Sequence, residues 1–112
     1  MIKELISFED FQKLDIRIGT IISVEPFPNA KVPAYKIKID FGELGIKNSS
    51  AQITSLYSKD DLLKKQVLSI INFKPKQIAN FMSECLILGI QNGKDVVLLQ
   101  SQKIALNGAK VS

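Results

Sequence analysis

A chain of 112 residues, 46% hydrophobic and 23% charged, has the size and balance of a single folded domain spanning residues 1–112 and not of a disordered segment. It contains no histidine, no tryptophan and one cysteine, Cys85, so it can build no Ser-His-Asp or Cys-His nucleophile, no imidazole base, no ordinary zinc site and no disulfide framework. The formal charge of +4 conceals an asymmetry: residues 1–25 carry three basic and five acidic groups, whereas residues 26–112 carry twelve and six.

No catalytic residue, metal ligand or cofactor is therefore expected, and the absence of disulfides fits a reducing compartment. The first eleven residues are interrupted by Lys3, Glu4, Glu9 and Asp10 and lack the apolar centre of a signal peptide. The longest apolar run, Cys85 to Ile90, is far short of the roughly 20 residues that span a bilayer. A cytoplasmic protein without membrane insertion is the expectation.

The first predicted element is a short helix. Ser7 caps it, Asp10 reaches back three residues later, and Ile6 and Phe11 supply the hydrophobic staple. Ile6, Phe8, Phe11 and Leu14 fit either burial on the domain's own core or a contact with a second copy of the chain. Asp15 to Glu25 then reads as a long strand, with Ile16, Ile18, Ile22 and Val24 on one parity. Gly19 inside that run marks a bulge, a bend or a close backbone approach. A long bent first strand suits a small barrel in which it serves both halves of the sheet.

After the Pro26, Pro28, Asn29 and Pro33 loop, Ala34 to Phe41 alternates cleanly: Tyr35, Ile37, Ile39 and Phe41 face one way, Lys36, Lys38 and Asp40 the other. The two lysines lie about 7 Å apart by strand rise. Ile46 to Ile53 is a polar strand with Lys47, Ser49 and Ala51 on one face, and Ser58 with Asp61 caps a second short helix stapled by Tyr57 and Leu62. Val67 to Ile71 is a buried strand, followed by Asn72-Phe-Lys-Pro-Lys-Gln77, where Pro75 ends the pairing. The final apolar runs, Glu84–Ile90 and Val96–Leu99, flank an Asn92-Gly93 hairpin turn. The resulting order places the chain in the all-β class, as an OB-fold: a five-stranded Greek-key barrel with a short N-terminal helix and a helix between strands 3 and 4.

Asp15-Ile-Arg-Ile-Gly19, Pro33-Ala-Tyr-Lys36, Ser49-Ser-Ala-Gln-Ile53, Asn72-Phe-Lys-Pro-Lys-Gln-Ile78 and Met82-Ser-Glu84 together resemble the CsaA family over about residues 8–112. CsaA proteins are chaperone-like, stand-alone relatives of the tRNA-binding domain that is appended to methionyl-tRNA synthetases. The resemblance implies a non-enzymatic homodimer of OB-folds that binds tRNA and associates with unfolded or export-bound polypeptides. The alternative is a general polypeptide holdase for which RNA binding is incidental.

On this expectation the candidate tRNA-binding residues are Arg17, Lys36, Lys38, Lys47, Ser49, Ser50, Asn72, Lys74, Lys76, Gln77 and Ser83. They are cations and small polar groups on the strands and turn that an OB-fold offers to nucleic acid, suited to backbone and shape recognition. Arg17 equally fits a structural charge paired with Asp15 or Asp40. Ile78, Phe81 and Met82 are the candidate peptide-binding residues, although they also suit a cover for the open end of the barrel. Ile6, Phe8 and Phe11 are the candidate dimer contacts. Cys85 reads as a small buried hydrophobe.

Overall fold

The computed structural model describes residues 1–112. Its elements, in chain order, are α1 (Phe8–Gln12), β1 (Ile16–Pro26), β2 (Tyr35–Asp40), a 3-10 turn (Gly42–Leu44), β3 (Ile46–Ala51), α2 (Lys59–Leu62), β4 (Gln66–Ile70), β5 (Lys76–Ile78), β6 (Phe81–Ser83), β7 (Leu86–Ile87), β8 (Gly89–Asn92) and β9 (Asp95–Leu98). Five strands form one antiparallel sheet in the order β3-β2-β1-β4-β7, and β5-β6 and β8-β9 are separate two-stranded ribbons. The expected OB-type architecture is present, with a short N-terminal helix and α2 between β3 and β4.

The long first strand serves both halves of the sheet. Ile16–Thr20 pairs with β4, and Thr20–Pro26 pairs with β2. Gly19 lies where the two ladders meet, and a Cβ there would stand 2.6 Å from the Ile39 side chain and 2.8 Å from the Phe41 ring. The glycine is thus required for close approach across the barrel. The bulge lies beyond it, between Ile21 and Ser23. That bulge breaks the expected parity: Ile21 and Val24 are buried, while Ile22, assigned to the core by simple alternation, is 45% exposed.

The core joins Ile21, Val24, Ile37, Ile39, Phe41, Ile53, Leu62, Val67 and Cys85. Leu62 enters it from α2, whose Ser58 hydroxyl and Asp61 carboxylate form the reciprocal capping box. The Asp61 carboxyl is held below the usual carboxylate range, first by the Ser58 backbone amide that donates to it and then by the Ser58 side chain. The opposite edges of the sheet are tied by side chains and single backbone bonds. Glu84 N–H donates to the Asn48 carbonyl (2.8 Å), Asn48 N–H donates to Glu84 Oε1 (2.9 Å), and the Ser49 hydroxyl donates to the Cys85 carbonyl (2.8 Å).

Three further features depart from the linear reading. The run after Pro75 is a β5–β6 ribbon turning at Ala79 and Asn80, with Ala79 in the left-handed region at φ 53°. The Glu84–Ile90 run divides at Leu88 into β7, in the barrel, and β8, in a hairpin whose Asn92 and Asp95 pair around Gly93-Lys94. The staple of α1 covers no core: the helix has no buried residue, and Ile6 and Phe8 are 72% and 67% exposed.

Gly19→Ala is expected to destabilise the protein by roughly 1–3 kcal/mol, the scale of an overpacked core. Urea denaturation should give a lower midpoint at an unchanged slope, because the denatured chain is scarcely altered.

Candidate nucleic-acid interface

Registration of β2 with its neighbours decides which side chains share the outer face of the sheet. Lys36 lies between Glu25 and Ser50, and Lys38 between Ser23 and Asn48. Directly paired residues lie on the same face, so Ser50 and Asn48 accompany the two lysines. Lys47 and Ser49 pair instead with Ile39 and Ile37, which are fully buried. The expectation that Ser49 meets RNA is therefore corrected: it is 1% exposed and its hydroxyl is held by the Cys85 carbonyl. Lys47 lies on the inward register, half-buried near the barrel end.

Lys36 has a specific setting. Its ammonium stands 5.2 Å from the centroid of Phe27 and 5.8 Å from that of Phe81, and those rings meet edge to face at 5.5 Å. Phe27 follows β1 and is buried, whereas Phe81 belongs to β6 and is half-buried. The aromatic pair thus fixes the ribbon to the sheet and holds the Lys36 charge at their junction, an interaction worth about 0.5–2 kcal/mol.

On the ribbon, Lys76 pairs with Ser83, Gln77 with Met82, and Ile78 with Phe81. The proposed peptide-binding trio is consequently split. Ile78 and Phe81 share the face that meets the barrel, while Met82 lies on the other face with Gln77 and is 46% exposed. Lys74 and Lys76 join Phe73, Ser83, Glu84, Cys85 and Leu86 around a groove of about 320 Å³. Phe73 and Leu86, 50% and 48% exposed, were not among the residues singled out from the sequence. Asn48 was missed as well. Parity beyond the last residue of β4 was the available signal for Phe73, but the break in pairing after Ile70 makes that parity unreliable.

Several expected contact residues are held by intramolecular bonds. Asn72 accepts from the Asp15 amide (2.9 Å) and donates to the Lys13 carbonyl (2.8 Å), clamping the start of β1. Arg17 takes the structural alternative: Nε donates to Asp15 Oδ1 at 2.6 Å and a terminal nitrogen donates to the Gly108 carbonyl at 3.0 Å. Ser83 Oγ accepts from the Ser50 amide (3.3 Å) and donates to the Cys85 carbonyl (3.4 Å). Two ion pairs occur, Lys13–Asp10 and Arg17–Asp15, so Lys36, Lys38, Lys47, Lys74 and Lys76 carry no carboxylate partner. The site offers ammonium groups without ion-pair partners, amide and hydroxyl groups, an exposed ring and one carboxylate, Glu84, which accepts from the Asn48 amide.

Cys85, almost wholly buried, forms part of the groove lining. Burial pushes its thiol up from an ordinary value of about 9.0 to about 11, with the neighbouring Glu84 charge adding to the rise. Its Sγ donates to the Asn48 carbonyl at 3.7 Å.

Fold and surface together define a small OB-type barrel with a basic outer face and an attached basic ribbon. The family model described as "Putative tRNA binding domain" matches residues 16–110. Crystal structures of the chaperone CsaA from Bacillus anthracis and from Picrophilus torridus are each 50% identical with TM-scores of 0.92, covering 97% and 96% of this chain and all of theirs. The methionine–tRNA ligase of Thermococcus onnurineus is 38% identical over 108 residues, 96% of this chain but 14% of the ligase. That of Nanoarchaeum equitans is 40% identical over 107 residues, 96% of this chain and again 14% of the ligase. The chain thus spans about one seventh of these ligases. It belongs to the tRNA-binding-domain family and, within it, to the CsaA family.

The Cys85 thiol carries a pH signature. Because the folded state holds its proton more tightly than the unfolded chain, stability falls as pH rises from about 9.0 towards about 11. Denaturation midpoints measured across that window should fall faster for the parent than for Cys85→Ala, and parallel pH profiles would contradict this.

Proposed function

We propose that the chain is a non-catalytic tRNA-binding protein with a chaperone-like, export-related affinity for unfolded polypeptides, acting as a homodimer in the cytoplasm. The observation that carries the RNA reading is the set Lys36, Lys38, Lys74 and Lys76, four cations without carboxylate partners distributed over the outer sheet and adjoining ribbon. Such a surface exchanges condensed counterions for ammonium groups along a phosphate backbone, and so binds with steep salt dependence. Phe73 adds a face on which an unpaired base can stack, worth about 1–3 kcal/mol. The CsaA and methionine–tRNA ligase relatives support this assignment.

The homodimer reading draws on the unsatisfied apolar surface at the N-terminus. Ile6 and Phe8 are largely exposed, Phe11 is half-buried against Phe8 with centroids 5.8 Å apart, and no core residue covers them. Burial against a second copy would remove that surface from water. No helix of the chain is long and apolar enough to cross a membrane.

The polypeptide reading is favoured by a specific apolar rim. Phe73 and Leu86, each about half exposed, line the basic groove, while Met82, 46% exposed, stands on the other face of the ribbon, and methionine adapts to varied partners. An extended chain would find apolar contacts along this rim and donors from the lysines. The reading in which polypeptide holding dominates and RNA binding is incidental differs in its sensitivity to these residues.

Lys74→Ala with Lys76→Ala is expected to lower the slope of log affinity for tRNA against log salt by about 1.4 to 1.8 for the two charges. An unchanged affinity and slope in a salt titration would reject the assignment. Met82→Ala, by contrast, should reduce protection of a denatured client from aggregation while leaving tRNA affinity in place. Equal protection by variant and parent would remove Met82 from the polypeptide surface.

A further inference from the structure

A second cationic cleft lies on a different part of the barrel. It has a volume of about 360 Å³ and is bounded by Thr20, Lys64, Lys65, Gln66 and residues 100–104, including Lys103. It shares no residue with the groove at Phe73 and Lys74. Lys64, Lys65 and Lys103 are exposed and without ion-pair partners, and no acidic residue lines the cleft. The nearby acids lie outside the lining and also hold backbone amides. Asp61, close enough for Lys65 to influence it, holds the Ser58 cap, and Asp40, across the ladder from Thr20, accepts from the Gly42 amide at 2.8 Å.

The wall of this cleft is built. Gln66 donates to the Ala105 carbonyl (2.6 Å) and to Asn107 Oδ1 (3.1 Å), and accepts from the Ala105 amide (3.0 Å). Thr20 donates to the same Asn107 oxygen at 2.8 Å. These four bonds pin the segment that carries Lys103 against β1 and β4. The opposite side is fixed by an extension of the β1 ladder, in which Lys64 N–H donates to the Ile21 carbonyl and Ile21 N–H to the Lys65 carbonyl, both at 2.9 Å.

Lys64 is also in the left-handed region, at φ 69°, where glycine or asparagine is the economical residue. A lysine there retains a charge at a backbone cost, and it does so at the mouth of a cleft already supplied with two others. Exposed amides of Gln100 and Gln102, with the Ser101 hydroxyl, complete a lining that can both donate and accept. Three lysines and neutral donors around one cleft, with no carboxylate in its lining, match a phosphate ester, whose charge they neutralise while its oxygens accept.

We propose that this cleft is a second phosphate-binding site, for the sugar–phosphate backbone of RNA or for a free phosphate ester. Where RNA is the source, the inference extends the tRNA-binding reading above: the nucleic acid would be held on two sides of the barrel. Where the ester is free, the cleft is an independent ligand site.

The test uses Lys64→Asn combined with Lys103→Gln. Asparagine tolerates the left-handed backbone, so the variant should melt at or near the parent temperature. Inorganic pyrophosphate titrated into the parent should shift the backbone amide resonances of Lys64, Lys65 and residues 101–104. In the double variant that binding should weaken about tenfold or more, as expected for two charge-assisted contacts, whereas Lys74→Ala with Lys76→Ala should leave it intact. A tRNA salt titration distinguishes the sources. A slope lowered by about 1.4 to 1.8 in the double variant assigns the cleft to RNA backbone, and an unchanged slope with lost pyrophosphate binding assigns it to a free ester. If neither pyrophosphate nor the tRNA slope responds to the double variant, the site is disproved. An unchanged tRNA affinity and salt slope in Lys74→Ala with Lys76→Ala, with pyrophosphate binding at the cleft preserved, would defeat the earlier reading and leave this one standing.

Discussion

The architecture depends on one strand taking part in two ladders. β1 pairs with β4 through its first half and with β2 through its second, so the sheet can curl round only if the strand bends where the ladders exchange. Thr20 belongs to both, facing Gln66 on one side and Asp40 on the other. Curling brings β1 down onto Ile39 and Phe41, and that approach is possible because residue 19 has no Cβ. The bulge at Ile22 then restores an inward register for Val24. The positions of the outward-facing lysines on β2 follow from this bend, since β2 takes its register from the second half of β1.

Much of this was legible in the sequence, and the boundary of legibility has a physical cause. Capping boxes at Ser7 and Ser58, clean alternation in β2 and the long glycine-containing first strand are local signals, decided by residues a few positions apart. Each appears in the structure. The errors concern long-range register. Lys47, Ser49 and Ala51 were correctly placed together on one face of β3, but which face met the core was fixed only by pairing with Ile39, Ile37 and Tyr35. In a polar strand the hydrophobic pattern is too weak to declare its inner side. Ile22 misled for a related reason: a bulge is an insertion into a ladder, and alternation read along one strand cannot register it.

The site shows the same division. A lysine pair two residues apart on β2 is visible from spacing, but the rings that hold Lys36 come from residues 27 and 81, far apart in sequence. Arg17 and Asn72 belong to conspicuous motifs, yet their polar atoms close the barrel by bonding Asp15, Gly108 and Lys13. A motif records that a residue is required; the hydrogen-bond inventory shows what requires it. Here the conspicuous polar residues are largely structural, and the groups left for a partner are lysines that look ordinary in sequence.

That distribution constrains how the surface can act. Charges already paired with carboxylates would contribute little to an anionic partner, because binding would have to break an existing attraction. The lysines of the outer face, ribbon and second cleft carry no such debt, and are mutually repelling in the free protein. Phosphates brought to them as proposed would relieve repulsion and release counterions from the nucleic acid at once. The structural charges are treated in the opposite way: Arg17 is fixed to Asp15 and the Gly108 carbonyl, where its neutralisation holds the terminal segment to β1. A net charge of +4 is therefore a poor measure of this molecule. On the proposed reading, affinity for an anionic partner is set by surface cations left without carboxylate partners, while the partly buried Arg17–Asp15 ion pair stays closed.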